Sequence, residues 1–102
     1  MTAITTMVTF DVPPQNVEEF IKTWRVSEEF LNQQPGILGG VLYRSSHDDG
    51  QVQFVNAARW ESAEALASAL KSLGKDRPDL GDVFKLLDVH FKQSNYTEYL
   101  RY

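Results

Sequence analysis

Apolar residues in this chain follow two periods, and the clearest change from one to the other lies between Val52 and Gly74. From Val52 to Trp60 both parities are largely apolar: Val52, Phe54, Ala58 and Trp60 on one side, Val55 and Ala57 on the other. A strand with one wet face alternates, so this one is expected to be covered on both. Asn56, a poor strand former, falls on the Phe54 and Trp60 side by the two-residue period. The pattern then turns helical, with Leu66, Leu70 and Leu73 as the stripe and Ala63 and Ala67 allowing close packing. Ser62 is positioned to cap this helix and Glu64 to favour its first turn. Gly74 is placed as the left-handed residue that ends it.

Elsewhere, Ile4 to Val12 alternates, with Ile4, Val8, Phe10 and Val12 on one face, while Thr6 and Met7 break the rule. This predicts a first strand, ended by Pro13 and Pro14, which cannot donate to a ladder. Asn16 followed by Glu19 resembles a capping box. Val17, Phe20, Ile21, Trp24 and Leu31 then recur at helical spacing through about Gln33. The charged pairs Glu18 to Lys22 and Arg25 to Glu29 read as a solvated face. Pro35-Gly36 closes the helix before a second strand, Ile37 to Ser45, in which Gly39-Gly40 marks a bulge or a close approach to the backbone. His47-Asp48-Asp49-Gly50 has the composition of a hairpin loop. Lys75 to Gly81 shows no periodicity and reads as a connection. From Asp82, the residues Val83, Leu86, Leu87 and either His90 or Phe91 form a last helical stripe, and Tyr96 to Tyr102 alternates as a final strand.

The order β-α-β-β-α-α-β, with right-handed crossovers, puts every helix on one face of an antiparallel four-stranded sheet. This is an α+β, ferredoxin-like split βαβ fold, expected to occupy residues 1–102 as a single domain. The second apolar face of the third strand would then lie open, an exposed patch larger than a monomer ordinarily carries. A homodimer packed sheet to sheet is the expected solution.

Composition narrows the function classes. Hydrophobic content of 42% and aromatic content of 12% indicate a globular chain. The net charge of −4, with no basic run, argues against a nucleic-acid partner. Cysteine is absent, which removes disulfides, thiolate nucleophiles and thiolate metal ligands. The N-terminal MTAITTMVTF lacks the features of a signal peptide, and no apolar run is long enough to cross a bilayer. A soluble, cytoplasmic protein with no membrane partner is expected. No phosphate loop, metal-ligand spacing or nucleophile-base set is present.

FVNAARWESAEALASALKS, preceded by PGILGGVLYRS, resembles the antibiotic biosynthesis monooxygenase family of dimeric α/β barrels over Thr6 to Tyr102. The resemblance implies small oxygenases that oxidise phenolic or quinol-like substrates with O2, with no metal or flavin cofactor. In that branch an Asn and a Trp four apart on the third strand face a cavity between sheet and helices, and Asn56 and Trp60 match them. The resemblance thus implies that Asn56 steadies an enolate oxygen and that Trp60 stacks on the ring or donates its N–H. The alternative for each is plain structure: Asn56 bridging a strand irregularity, Trp60 plugging the core. Tyr43, Phe54, His90 and Tyr96 are further candidates for substrate contact, against ordinary roles as strand fillers or a structural histidine. Arg59, on the other side from Trp60, reads as an interface ion-pair partner. The haem-degrading branch pairs an Asn on the first strand with a Trp in the helix after the third, and this chain has neither. A barrel that binds a small ligand or haem without turnover is the alternative function.

Overall fold

In the computed structural model, which describes residues 2–45 and 50–102, the elements follow the expected order. They are β1 (Ile4–Val12), a single 3-10 turn (Pro14–Asn16), α1 (Val17–Leu31), β2 (Ile37–Arg44), β3 (Val52–Trp60), α2 (Ala63–Asp76), α3 (Asp79–Leu86) and β4 (His90–Tyr96). Among the described residues the four strands form one antiparallel sheet in the order β2-β3-β1-β4, the ferredoxin-like α+β arrangement. The expected hairpin residues His47, Asp48 and Asp49 lie outside the described residues.

The register explains how the two faces of the sheet divide. Ile4, Thr6, Val8, Phe10 and Val12 of β1 sit opposite Trp60, Ala58, Asn56, Phe54 and Val52 of β3, and this set turns toward the helices. Its side chains form two separate core clusters. In the first, Phe20 of α1 is fully buried, with ring centroids 5.1 Å from Phe10, 5.2 Å from Phe54 and 5.7 Å from Phe84. In the second, Trp60 and Ile4 pack with Leu66 and Ala69 of α2. On the opposite face Val41, Ala57 and Met7 form one row across three strands, flanked by Tyr43 beside Val55 and by Tyr96 beside Thr5. Met7 is 40% exposed and Val41 50%. The two-sided apolar character of β3 is therefore real, with one side under the helices and the other open.

The C-terminal third departs from the sequence reading. The last strand is His90–Tyr96 and not Tyr96 to Tyr102; residues 97–102 are exposed and carry no regular structure. β4 is an edge strand whose inward residues are Phe91, Gln93 and Asn95, so polar residues on both faces erase the apolar signal. His90 thus belongs to a strand, not to a helical stripe. The helix before it ends at Leu86 because Asp88 takes φ 55. Val89 N–H then bonds Phe84 O at 3.0 Å and Asp88 N–H bonds Lys85 O at 3.1 Å, the paired bonds of a Schellman stop made without glycine. The expected connection at 75–81 is instead the end of α2 and the start of α3. Leu80 is buried there, and the Arg77 guanidinium grips Asp79 at 3.0 and 2.9 Å, holding that carboxyl below its ordinary range.

Two capping expectations resolve differently. Ser62 accepts from Ala65 N–H at 3.1 Å, as a cap should. Asn16 makes no cap bond, and its amide reaches Leu87 O at 2.9 Å, tying the start of α1 to the end of α3. Gly74 lies inside α2, which continues to Asp76.

Two stability measurements check this packing. Phe20→Ala should cost about 3–5 kcal/mol, as expected for a buried aromatic. Asp88→Val should cost roughly 1–2 kcal/mol at a left-handed position, while Asp88→Gly should change stability by less than about 0.5 kcal/mol. Urea midpoints at constant slope read all three.

Candidate active site

The site is created by a row of small residues. Gly40 of β2, Ala58 of β3 and Thr6 of β1 are register partners on the helix-facing side. The neighbouring rows are taller: Leu42, Asn56, Val8 and Gln93 on one side, Ile37, Trp60 and Ile4 on the other. The helices rest on the taller rows and span the low one, leaving a cavity of about 310 Å³ between the two core clusters. Trp24 and Leu31 of α1 and Leu66 and Leu70 of α2 form its apolar roof. At Gly40 a Cβ would stand 2.9 Å from Ala57 O and 3.2 Å from Ala58 Cβ. Beside it, Gly39 carries φ +119 at a register shift that follows Ile37. The bulge and the close approach foreseen for the Gly-Gly pair both occur.

Polar groups reach this space from floor and roof. Asn56 lines the cavity, and its amide makes no hydrogen bond to any described residue. Trp60 also lines it; the side chain is 1% exposed, and its Nε1–H is buried without a partner. A buried donor left unmade costs about 1–3 kcal/mol, so its persistence is informative. The two residues are separated by roughly 13 Å of strand, with Ala58 between them. On the floor, Gln93 Nε2 donates to Thr6 Oγ1 at 3.2 Å and to Asn95 Oδ1 at 3.4 Å. In the roof, Ser27 Oγ donates to Thr23 O at 3.2 Å, and Asn32 Nδ2 donates to Glu28 Oε1 at 2.6 Å.

The candidate residues separate into two groups. Asn56 and Trp60 share the cavity wall. Phe54 sits on the same face but in the first core cluster, outside the cavity lining, with Phe20 against it. Tyr43, Tyr96 and His90 lie on the other face of the sheet, in register with Val55, Thr5 and Asp11 respectively. The geometry places these three away from the cavity. His90 is exposed, with Nε2 3.1 Å from Asp88 Oδ1, so the one histidine after the cavity strands faces away from it. Arg59 also points outward, in register with Thr5 and Gly39.

Five polar residues of the wall escaped the sequence reading: Thr6, Ser27, Glu28, Asn32 and Gln93. Thr6 is the polar break in the inward face of β1. Ser27 and Glu28 occupy the turn between Trp24 and Leu31 where the stripe of α1 should be apolar. Gln93 lies on a strand that the sequence placed too late. Glu28 is the only titratable residue lining the cavity among the described residues, and they hold no cluster of His, Cys, Asp or Glu able to bind a metal ion. No helix among them is long and apolar enough to cross a membrane.

Comparison with known proteins gives a consistent picture. No curated protein matches the chain by sequence. Among solved structures, SnoaB, a cofactor-independent oxygenase from Streptomyces nogalater, superposes with a TM-score of 0.81 at 22% identity, over 99% of this chain and 97% of that one. A candidate monooxygenase from Shewanella loihica gives 0.78 at 26% identity, over 100% and 99%. A candidate antibiotic biosynthesis monooxygenase from Nitrosomonas europaea gives 0.78 at 17% identity, over 95% and 90%. The likeness to the first and third is one of fold. The family model for antibiotic biosynthesis monooxygenases matches residues 3–85, a span that holds β1, β2, β3 and every cavity residue named above except Gln93. The chain belongs to the antibiotic biosynthesis monooxygenase family.

Proposed function

We propose that this protein is a cofactor-independent monooxygenase acting on a small aromatic, quinol-like compound with O2. The observation that carries the reading is a cavity of about 310 Å³ with the unpaired Asn56 amide and the Trp60 ring on its wall. That volume lies within the usual range for small-ligand sites. The reaction begins with loss of the acidic proton of the phenol or quinol. The resulting anion passes an electron to O2, and the radical pair combines to form a carbon–oxygen bond. The peroxide then loses water, leaving the oxidised ring. Asn56 steadies the anionic oxygen as the charge forms, and Trp60 supports the ring or hydrogen-bonds the oxygen species. The substrate carries the reducing electrons, so neither metal nor flavin enters this scheme.

Two copies join, in this proposal, through the open sheet face, burying Met7, Val41 and Tyr43. Arg59 and Tyr96 would then lie in the interface. Sedimentation of the wild type at tens of micromolar should give the dimer mass, and Val41→Lys should shift it toward the monomer. A wild type that sediments as a monomer overturns the dimer.

The oxygenase reading is tested by O2 uptake with a panel of quinols and anthrones. Asn56→Ala should lower the rate by roughly 10²–10³, the effect of removing one oxyanion donor, and Trp60→Phe should lower it measurably. Unchanged rates in both variants remove these residues from the site. Ala58→Leu raises the low row of the floor. It should leave the protein folded by circular dichroism yet weaken quinol binding at least about tenfold, since that space is what the ligand occupies.

A further inference from the structure

The amphipathic pattern of α1 breaks at one turn. Val17, Phe20, Ile21, Trp24 and Leu31 hold the sheet-facing positions, but the turn between Trp24 and Leu31 presents Ser27 and Glu28. A carboxylate on the inward face of a helix is a local rule broken, and such breaks mark functional positions. Its setting is specific. Glu28 is half-exposed at the cavity edge, and one oxygen, Oε1, accepts a solvent-exposed bond from Asn32 Nδ2 at 2.6 Å, one turn further along. The other has no partner among the described residues. The cavity residues of α2, β1, β2, β3 and β4 include no titratable group. On α1 its nearest charged neighbours in sequence are Arg25 and Glu29, both exposed. The cavity thus has a hydrogen-bond donor on its floor at Asn56 and one charged acceptor in its roof at Glu28.

We propose that Glu28 receives the acidic O–H of the substrate, so that the cavity takes neutral hydroxylated rings and rejects carboxylated ones, and that the same carboxylate removes that proton. The role of proton acceptor rests on the oxygenase reading above; the charge selection does not. In the step, the substrate O–H bond breaks and an O–H bond forms on Glu28. The electron pair stays on the substrate and spreads through the ring to the oxygen held by Asn56, and O2 is the oxidant that follows. The protonated Glu28 then returns its proton to the peroxide anion, which restores the carboxylate. A carboxylated ring would bring a second negative charge into a wall that holds no cation.

The test uses Glu28→Gln, which keeps shape and a carbonyl acceptor but cannot take a proton. Trp24 and Trp60 both line the cavity, so quenching of their fluorescence reports binding directly. The wild type should bind a dihydroxyanthraquinone at least about tenfold more tightly than a carboxyanthraquinone of the same ring system, and E28Q should narrow that ratio to about twofold or less. With an anthrone that supports O2 uptake, E28Q should lose about 10²-fold or more in kcat, the usual contribution of a general base. The rate of the variant should climb as alkali deprotonates the anthrone unaided. Wild-type kcat and an unchanged binding ratio in E28Q overturn the proposal. If the wild type consumes no O2 with any substrate, the oxygenase reading and the proton transfer fall together, and the binding ratio alone decides the charge selection.

Discussion

The height of side chains across the sheet governs the rest of this structure. Helices packed on a sheet settle where the tallest residues hold them. Here the tall rows contain Phe10 and Phe54 at one end and Trp60 with Ile4 at the other. Between them Gly40, Ala58 and Thr6 keep the floor low, and helices borne at both ends cannot sag to close the gap. Stability is therefore concentrated at the flanks. The cluster of aromatic rings around Phe20 and the plug formed by Trp60 each work as a core, and the space between them remains for a ligand.

Polarity follows the same geometry. A protein this small has little stability to spare, so a buried indole N–H without an acceptor is a costly feature. Facing the Asn56 amide across the cavity is Glu28, itself hydrogen-bonded by Asn32. A site that is donor-lined below and acceptor-lined above polarises whatever lies between, drawing charge toward the floor as a proton leaves toward the roof.

Much of this was legible in the residues. The period change at Trp60, the Ser62 cap and the Pro35-Gly36 break located the elements, and apolar residues on both faces of β3 located the open side. Asn56 and Trp60 could be assigned to one face by the two-residue period alone. The losses have physical causes. β4 is polar on both faces, so no apolar alternation announces it, and the stop before it uses Asp88 where glycine is the usual sign. Tyr43 and Tyr96 are aromatic strand residues of the kind that fill cavities, but whether such a residue points to helices or away depends on register, which pairing settles and composition does not. Glu28 was not singled out, although the gap it leaves in the stripe of α1 was visible.

The sheet order has a consequence for how the chain comes together. β1 is an interior strand, yet one of its two neighbours is β4, and the ladder between them joins Thr5 to Tyr96 across nearly the whole chain. During synthesis on the ribosome, β1 waits with one side bare until β4 has emerged. Contacts so distant in sequence are slow to close, and a strand with free amides and carbonyls invites pairing with the wrong chain. The polar character of β4, which hid it from its own sequence, keeps that late-arriving strand soluble until β1 receives it.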